Sequence, residues 1–236
     1  MYLLTKKMAK SAQPTCEKWQ KHLRLNIFAL VIFMILSPVV LSQKSEIIFT
    51  NDVDTIEYVG LKICISEDGQ ISSVTENPET STYNKSKNIV DEIRQKAGVI
   101  FHTDEGNDNS ECFDFELMMV NLKYQNFKEV NDDCFKYFGI GNFRYLNPKY
   151  QDFEIVRNED EQIEKNADSE MIFKIEWNCP CSYVLSYLEV SDPEMEYLIG
   201  QKIDVKIVDI LPNESYVYYS NLSDRTIGYG VIQKVR

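Results

Sequence analysis

Apolar and polar residues alternate over 59–66, which predicts a strand with one buried face. A second strand is predicted over 71–76, and Asp68-Gly69 between the two strands is typical of a tight hairpin turn. A helix is predicted over 86–97, where a serine can cap the first turn and apolar residues fall on one stripe. A third strand over 113–120 completes a β-β-α-β unit.

The pattern changes from about residue 132, after which the sequence predicts strands and at most one helical turn, over 194–200. The clearest alternation runs from Met171 to Trp177. Turn signals about 8–12 residues apart are typical of an antiparallel meander that closes into a barrel or a small sandwich. The predicted strands cover 143–146, 153–157, 161–165, 171–177, 182–190, 202–210, 215–219 and 226–235.

These patterns together predict an α+β fold: a β-β-α-β unit followed by an all-β meander. We place the first domain at 55–126 and the second at 132–236. A linker over 43–54 precedes them, and a targeting segment covers 1–42.

The targeting segment has the three parts of a secretory signal: a basic start, an apolar core and a small residue at a break. Its apolar core, 27–36, is shorter than the roughly 20 residues that a spanning helix needs. We therefore predict cleavage after Ser42 and a periplasmic or secreted protein. The alternative is an uncleaved inner-membrane anchor over 23–41.

Acidic residues dominate after the targeting segment. The whole chain has 25 Lys and Arg and 37 Asp and Glu, and 1–42 contains six of the former and one of the latter. The remaining residues therefore carry a net charge of 19 − 36 = −17. Such a surface repels phosphate, so we expect no nucleic-acid partner, and membrane contact only through an uncleaved segment.

Cysteine usage agrees with export, because an oxidising compartment favours disulfides. Zinc is the alternative, but it needs four clustered ligands, and His102 is the one histidine after residue 42. A C-x-C pair is also a poor match to a C-x-x-C redox motif. The odd number leaves one thiol free or bonded to another chain. The cysteines are Cys64, Cys112, Cys134, Cys179 and Cys181.

The first unit combines the strand 59–66, the Asp68-Gly69 turn, the strand 71–74, the helix around 89–93 and the closing strand 113–120. In this combination, residues 55–122 resemble the C-terminal domain of TonB-type proteins. Domains of that family lie in the periplasm and add a strand to a short segment of an outer-membrane transporter. The resemblance therefore implies an open sheet edge that pairs with a strand of another envelope protein.

The chain departs from that family in its spacer. A TonB energy transducer has a membrane anchor and a long proline-rich spacer. Here about 15 residues without proline separate Ser42 from the first predicted strand, a reach of at most about 50 Å. Energy transduction is therefore not expected.

A second set of motifs spans 132–236. It comprises Cys134, Gly141-x-Phe143-x-Tyr145, Arg157-Asn158, Gln162-Ile163-Glu164, Trp177, Cys181, Tyr183, Leu198-Ile199-Gly200 and Lys206-Ile207. With these motifs the second unit resembles a group of uncharacterised exported proteins from Bacteroidetes-type bacteria. Its strand order looks lipocalin-like, which concerns fold and not function.

The two resemblances together imply a disulfide pairing. Cys64 would join Cys112 within the first unit, and Cys134 would join Cys181 within the second. Cys179 would then be left free or would bond another chain.

No catalytic, metal or cofactor site is predicted, and we do not expect an enzyme. His102 has no nucleophile motif near it and is interpreted as a surface histidine. The loop 104–109 has oxygen ligands of the kind calcium prefers, but it lacks the spacing and distal glutamate of an EF-hand. We interpret it as a solvated turn.

Aromatic residues crowd the second unit. In a small barrel such rings usually fill the interior, and a lumen for a small apolar ligand is the alternative. The candidates for lining such a lumen are Tyr183, Tyr187, Tyr216, Tyr218 and Trp177.

The sequence thus predicts a non-catalytic binding or adaptor module of the cell envelope that uses a TonB-like sheet edge. The alternative function is a small-molecule carrier that uses the barrel-like second unit.

Overall fold

The computed structural model describes residues 44–67, 70–97, 111–127, 130, 132–222 and 227–235 of the 236-residue chain. The targeting segment 1–42, the Asp68-Gly69 turn, His102 and the loop 104–109 lie outside the described residues. Among the described helices, none has the length and apolar character needed to cross a membrane.

The first unit is a mixed sheet with one helix against it. Its strand order is β1-β4-β2-β3, with β1 parallel to β4 and the other neighbours antiparallel. The elements are β1 (Lys44–Thr50), β2 (Ile56–Ile65), β3 (Ile71–Asn77), α1 (Ser86–Ala97) and β4 (Glu111–Asn121). The three strands and the helix predicted from the sequence are all present, whereas the resemblance to TonB domains stays a prediction.

Strand β1 lies where the sequence predicted a linker over 43–54. Ile47 and Phe49 pack towards the second unit, and Ile48 packs towards the helix side of the sheet. β1 is short, and it is stabilised by pairing with β4, which lies far from it in the sequence. Periodicity over seven mostly polar residues could not reveal it.

The second unit is a closed eight-stranded antiparallel barrel within the described residues. Each strand pairs with its neighbours in sequence, and the last strand pairs with the first, so the predicted meander closes as a barrel and not as a sandwich. The strands are β5 (Gly141–Tyr145), β6 (Glu154–Arg157), β7 (Glu161–Lys165), β8 (Glu170–Cys179), β9 (Ser182–Val190), β10 (Lys202–Leu211), β11 (Ser215–Leu222) and β12 (Ile227–Val235).

A short helix, α2 (Cys134–Phe138), leads into the barrel. The ring of Phe138 lies 4.8 Å from that of Tyr216, a buried interior residue, so the helix covers one end of the barrel. A disulfide joins Cys134 to Cys181, with Cα atoms 4.9 Å apart. It ties α2 to the start of β9.

A second disulfide joins Cys64 to Cys112, which lie opposite each other on β2 and β4 with Cα atoms 4.0 Å apart. Cys179 is a free, half-buried thiol. The pairing implied by the resemblances is therefore the pairing that the structure has.

The sheet of the first unit lies between two apolar clusters. One face packs against α1 through Val59, Leu117 and Val90. The other face packs against the outside of the barrel, where Ile56 and Val120 share a cluster with residues of β10, β11 and β12. The barrel wall is therefore covered on this side, and the two units share a buried interface.

Candidate functional site

All five aromatic residues predicted to line a ligand lumen belong to the apolar cluster of the barrel interior or pack against it. Tyr183 and Tyr216 are fully buried there, and their hydroxyl oxygens lie 3.3 Å apart. The ring of Trp177 lies 4.7 Å from that of Tyr183, and Tyr187 stacks at 4.5 Å on Phe173. These rings pack against one another and against the aliphatic core, as filling side chains do.

A buried arginine organises this interior. Arg157 is 2 % exposed and donates to the carbonyl of Phe138 at 3.2 Å and to the hydroxyl of Tyr183 at 2.9 Å. It also donates to Gln162, its register partner on β7. The guanidinium carbon lies 4.7 Å from the ring centre of Phe143 and 4.9 Å from that of Tyr183. Hydrogen bonds and ring faces together replace the water that the charge has lost.

The polar network continues to a buried carboxyl group. Gln162 donates to Glu164, which also accepts a hydrogen bond from Tyr145. Burial raises the pKa of Glu164, although the hydrogen bonds and the charge of Arg157 oppose the shift. The network spans β5, β6, β7 and β9 and fixes the interior side chains in one arrangement.

A cavity of about 150 Å³ lies between the sheet of the first unit and the barrel. The sheet contributes the side chains of β2 and β4, and the barrel contributes the end of β5, the turn after it, β11 and β12. The lining residues are Tyr58, Glu116, Met118, Tyr145, Asn147, Tyr150, Tyr218, Gly228, Tyr229, Gly230 and Val231. Tyr218 is the one predicted lumen residue among them.

The backbone opens at this point because two strands separate. β12 pairs with β5 over 232–235, and the last contact is the Leu146 amide donating to the Val231 carbonyl at 2.9 Å. Towards Gly230 and Gly228, β12 no longer pairs with β5 and stays paired with β11. A Cβ atom on Gly230 would lie 2.5–2.6 Å from the ring of Tyr218, so the glycine gives that ring its space beside the cavity.

Tyr58 lines the cavity, and its hydroxyl group is buried. The residue lies on β2, is 2 % exposed, and its hydroxyl has no hydrogen-bond partner within the described residues. Burial raises the pKa of Tyr58, and the nearby Glu116 and Tyr150 add to the shift. The hydroxyl therefore stays protonated and can both donate and accept a hydrogen bond.

Glu116 supplies a carboxyl group from β4. Residues of β4 alternate between the two faces of the sheet, and Glu116 lies on the same face as Met118 and Val120, towards the barrel. Its Oε2 accepts a hydrogen bond from Nδ2 of Asn147 at 3.1 Å. Burial raises the pKa of Glu116, while this hydrogen bond and the charge of Lys149 oppose the shift.

Asn147 is held rigidly by the turn that follows β5. Its Oδ1 accepts from the backbone amide of Lys149 at 2.9 Å and caps a single helical turn, Pro148–Tyr150. This arrangement directs the side-chain amide to Glu116. Tyr150, at the end of the same turn, lines the cavity beside it.

The cavity thus combines tyrosine rings, one carboxyl group and one free hydroxyl. Groups of these kinds can make hydrogen bonds and ring contacts with a small molecule. Within the described residues no cluster of three metal-ligating side chains occurs.

Sequence reasoning missed Tyr58, Glu116, Asn147 and Tyr150 as site residues. One signal was present: Glu116 directly precedes the apolar run Leu117–Val120, where both faces of a strand are buried. An acidic residue on the edge of such a run is a candidate buried carboxyl group. The position of Tyr58 opposite it depends on strand pairing and on the barrel.

The four cysteines of the two disulfides are bonded in pairs and are not among the residues that line the cavity. Their role is to stabilise the fold. Comparison with family models, curated proteins and solved structures gives no match for this chain.

Proposed function

We propose that this chain is a binding protein that holds a small polar ligand in the cavity between the first-unit sheet and the barrel. The observation that carries the proposal is the hydroxyl of Tyr58, buried and without a partner, in a cavity of about 150 Å³. Leaving a buried polar group unpaired costs about 1–3 kcal/mol. A ligand that hydrogen-bonds to Tyr58 recovers this free energy, so binding is favoured.

The sequence suggested the barrel lumen as the alternative binding site for a small molecule. The proposed site is instead the interface between the first-unit sheet and the barrel. The barrel interior is occupied by side chains, among them Arg157, Tyr183 and Tyr216. This favours the interpretation that these residues fill the core. Tyr218 belongs to both regions: it packs on the interior cluster and also lines the cavity.

Two variants of matched chemistry test the proposal. Tyr58→Phe removes the unpartnered hydroxyl and is expected to raise the free energy of unfolding by about 1 kcal/mol or more in the ligand-free protein. Tyr229→Phe removes a hydroxyl that donates to the carbonyl of Tyr124 at 3.2 Å, and is expected to lower it by about 1 kcal/mol. Urea unfolding measures both.

Native mass spectrometry of protein purified from its own cells is the binding readout. We expect a retained small molecule with the wild type, reduced retention with Tyr58→Phe, and unchanged retention with Tyr229→Phe. Absence of any bound mass, together with an ordered water on Tyr58 in a crystal structure, would overturn the proposal.

A second candidate function is strand addition at β3. Among the described strands, β3 pairs with β2 on one side and is an edge of the sheet, where an extended segment can add as a further strand. The partner would be another envelope protein, as the resemblance to TonB domains implies.

Paired proline variants test the edge. Successive N–H groups of a strand point to opposite sides, so one of Thr75→Pro and Glu76→Pro removes an outward N–H and the other an N–H that faces β2. We expect the outward variant to fold and to lose a cross-linked envelope partner that the wild type retains. Retention of that partner by the folded variant would refute strand addition.

We further propose a periplasmic or secreted location. Its support is the pair of disulfides, since disulfides form and persist in oxidising compartments. Fractionation of cells with N-terminal sequencing of the protein tests location and cleavage together; an intact N-terminus in the cytoplasmic fraction would contradict it.

A further inference from the structure

Among the residues that the structure describes, no cation is in contact with the carboxyl group of Glu116, although the charge of Lys149 acts on it from further away. Glu116 receives a hydrogen bond from the neutral amide of Asn147, and no ion pair within the described residues includes it. The residue is 9 % exposed. A buried carboxylate without a cation in direct contact is costly, so such a group is stabilised by a proton or by a positive charge brought into contact with it.

The walls of the cavity suit a positive charge as well. Rings of Tyr58, Tyr145, Tyr150, Tyr218 and Tyr229 line it. The faces of aromatic rings attract cations, most strongly where water is excluded, and proteins recognise ammonium groups by surrounding them with such rings. In this protein, Arg157 already lies against Phe143 and Tyr183 in the neighbouring interior in the same way.

The volume limits the size of the guest. A cavity of about 150 Å³ is similar in volume to engineered protein cavities that bind one benzene-sized molecule. The cavity therefore suits a compact molecule of a few non-hydrogen atoms.

We propose that the cavity binds a small organic ammonium ion that carries at least one N–H, with Glu116 accepting its hydrogen bond and the tyrosine rings surrounding its alkyl groups. The inference rests on the proposed function and names the ligand class. The acidic surface favours the same guest, because a net charge of 25 − 37 = −12 for the whole chain draws cations to the protein.

Trimethylammonium and tert-butanol test the charge, since the two molecules have nearly the same shape and only one is a cation. Titration calorimetry with the wild type is expected to show trimethylammonium binding at least about tenfold more tightly than tert-butanol, because charge-assisted hydrogen bonds are the stronger ones. Tetramethylammonium, which has no N–H, is expected to bind more weakly than trimethylammonium.

Glu116→Gln keeps the shape of the side chain and removes its charge. We expect it to abolish the preference for trimethylammonium over tert-butanol. The control is Glu189→Gln, which removes one exposed carboxylate of β9 outside the cavity and is expected to leave the preference unchanged. Affinity of the wild type for trimethylammonium should also rise with pH as Glu116 ionises.

The outcomes separate this inference from the function on which it rests. Equal binding of trimethylammonium and tert-butanol would overturn the cation and leave a neutral-ligand site. Binding of neither probe would also overturn the inference, and the mass-spectrometric result then decides whether the cavity has another ligand. Equal loss of the preference in Glu116→Gln and Glu189→Gln would show that overall charge, and not this carboxylate, attracts the cation.

Discussion

Two buried carboxyl groups lie on either side of the barrel wall, in different surroundings. Glu164 accepts hydrogen bonds from Gln162 and Tyr145, and the positive charge of Arg157 lies near enough to stabilise its charged form. Glu116 has one hydrogen bond, from Asn147, and faces a cavity. The first belongs to a filled network, whereas the second still has acceptor capacity for a guest.

The raised pKa of Glu116 gives a defined pH dependence. The folded protein binds the proton more tightly than the unfolded chain, so this contribution to stability is full below the unfolded pKa and is lost as pH rises through the raised folded pKa. Glu116→Gln should therefore be more stable than the wild type at about pH 8, with the difference shrinking towards about pH 4. Urea unfolding at both pH values measures it.

Glu189→Gln serves as the control for this measurement, since an exposed carboxylate is expected to change stability little at either pH. A Glu116→Gln variant that is less stable than the wild type at the higher pH would contradict the prediction. Such a result would mean that the carboxylate has a stabilising cation in the folded protein.

Arg157 gives a prediction for the barrel interior. Arg157→Met fills a similar volume but removes the guanidinium donor from the carbonyl of Phe138, the side-chain oxygen of Gln162 and the hydroxyl of Tyr183. We expect a loss of about 3–5 kcal/mol in the free energy of unfolding, because breaking a buried charged network leaves its other members unpaired. Urea denaturation measures the loss.

The matched control is Arg157→Lys, which keeps the charge but cannot make the forked contacts of a guanidinium group, so an intermediate loss is expected. If Arg157→Met were as stable as the wild type, the network would serve orientation of the interior and not its stability.

At the scale of elements, α2 has five residues and depends on its tertiary contacts. Asp133 caps it by accepting from the Lys136 amide, and the Phe135 amide donates to the carbonyl of Pro180 at 3.0 Å. Helices this short are unstable in isolation. The disulfide to Cys181 therefore fixes the element that covers one end of the barrel.

Loss of this disulfide is predicted to destabilise the fold. The bonded residues are 47 positions apart, and closing a loop of that length stabilises a protein by about 4 kcal/mol in the chain-entropy model. We expect a loss of about that size on replacing both Cys134 and Cys181 by alanine, as measured by urea unfolding under non-reducing conditions.

The control for this prediction is Cys179→Ala, which removes a free thiol two residues from the bonded Cys181. It should change the free energy of unfolding by less than about 1 kcal/mol. A large loss from Cys179→Ala, equal to the loss from the double variant, would show that the pairing is Cys134 with Cys179.

At the scale of the whole molecule, the sheet of the first unit covers the outside of the barrel over β10, β11 and β12. The polar link between Tyr124 and Asp209, 2.7 Å long, joins the two units at this interface. Two curved surfaces rarely match over their whole area, and here the mismatch is the cavity beside Gly230. A site of this kind belongs to neither unit by itself.

Much of the fold could be predicted from the sequence, because the periodicity of a strand depends on the residues within it. All eight strands of the barrel and α1 follow from alternation, stripe and turn residues, with differences of a few positions at their ends. β1 could not be predicted in this way, because its mostly polar residues adopt a strand conformation through pairing with β4.

The candidate site could be predicted only in part, and the reason is again physical. Sequence bias pointed to tyrosines of the second unit, yet alternation alone does not say whether a ring fills a core or borders a cavity. Tyr183 and Tyr216 fill the barrel core, whereas Tyr218 borders the cavity. The packing of the other strands decides between these two positions.

The sequence by itself determined the order of strands, the acidic charge and the cysteines available for disulfides, because these are properties of neighbouring residues or of composition. Tertiary structure decided barrel closure, the inward direction of Arg157 and the meeting of Tyr58 with Glu116 across paired strands. The closed interface leaves one hydroxyl unpaired and one carboxyl group facing a space, and that arrangement exists only when both units are packed together.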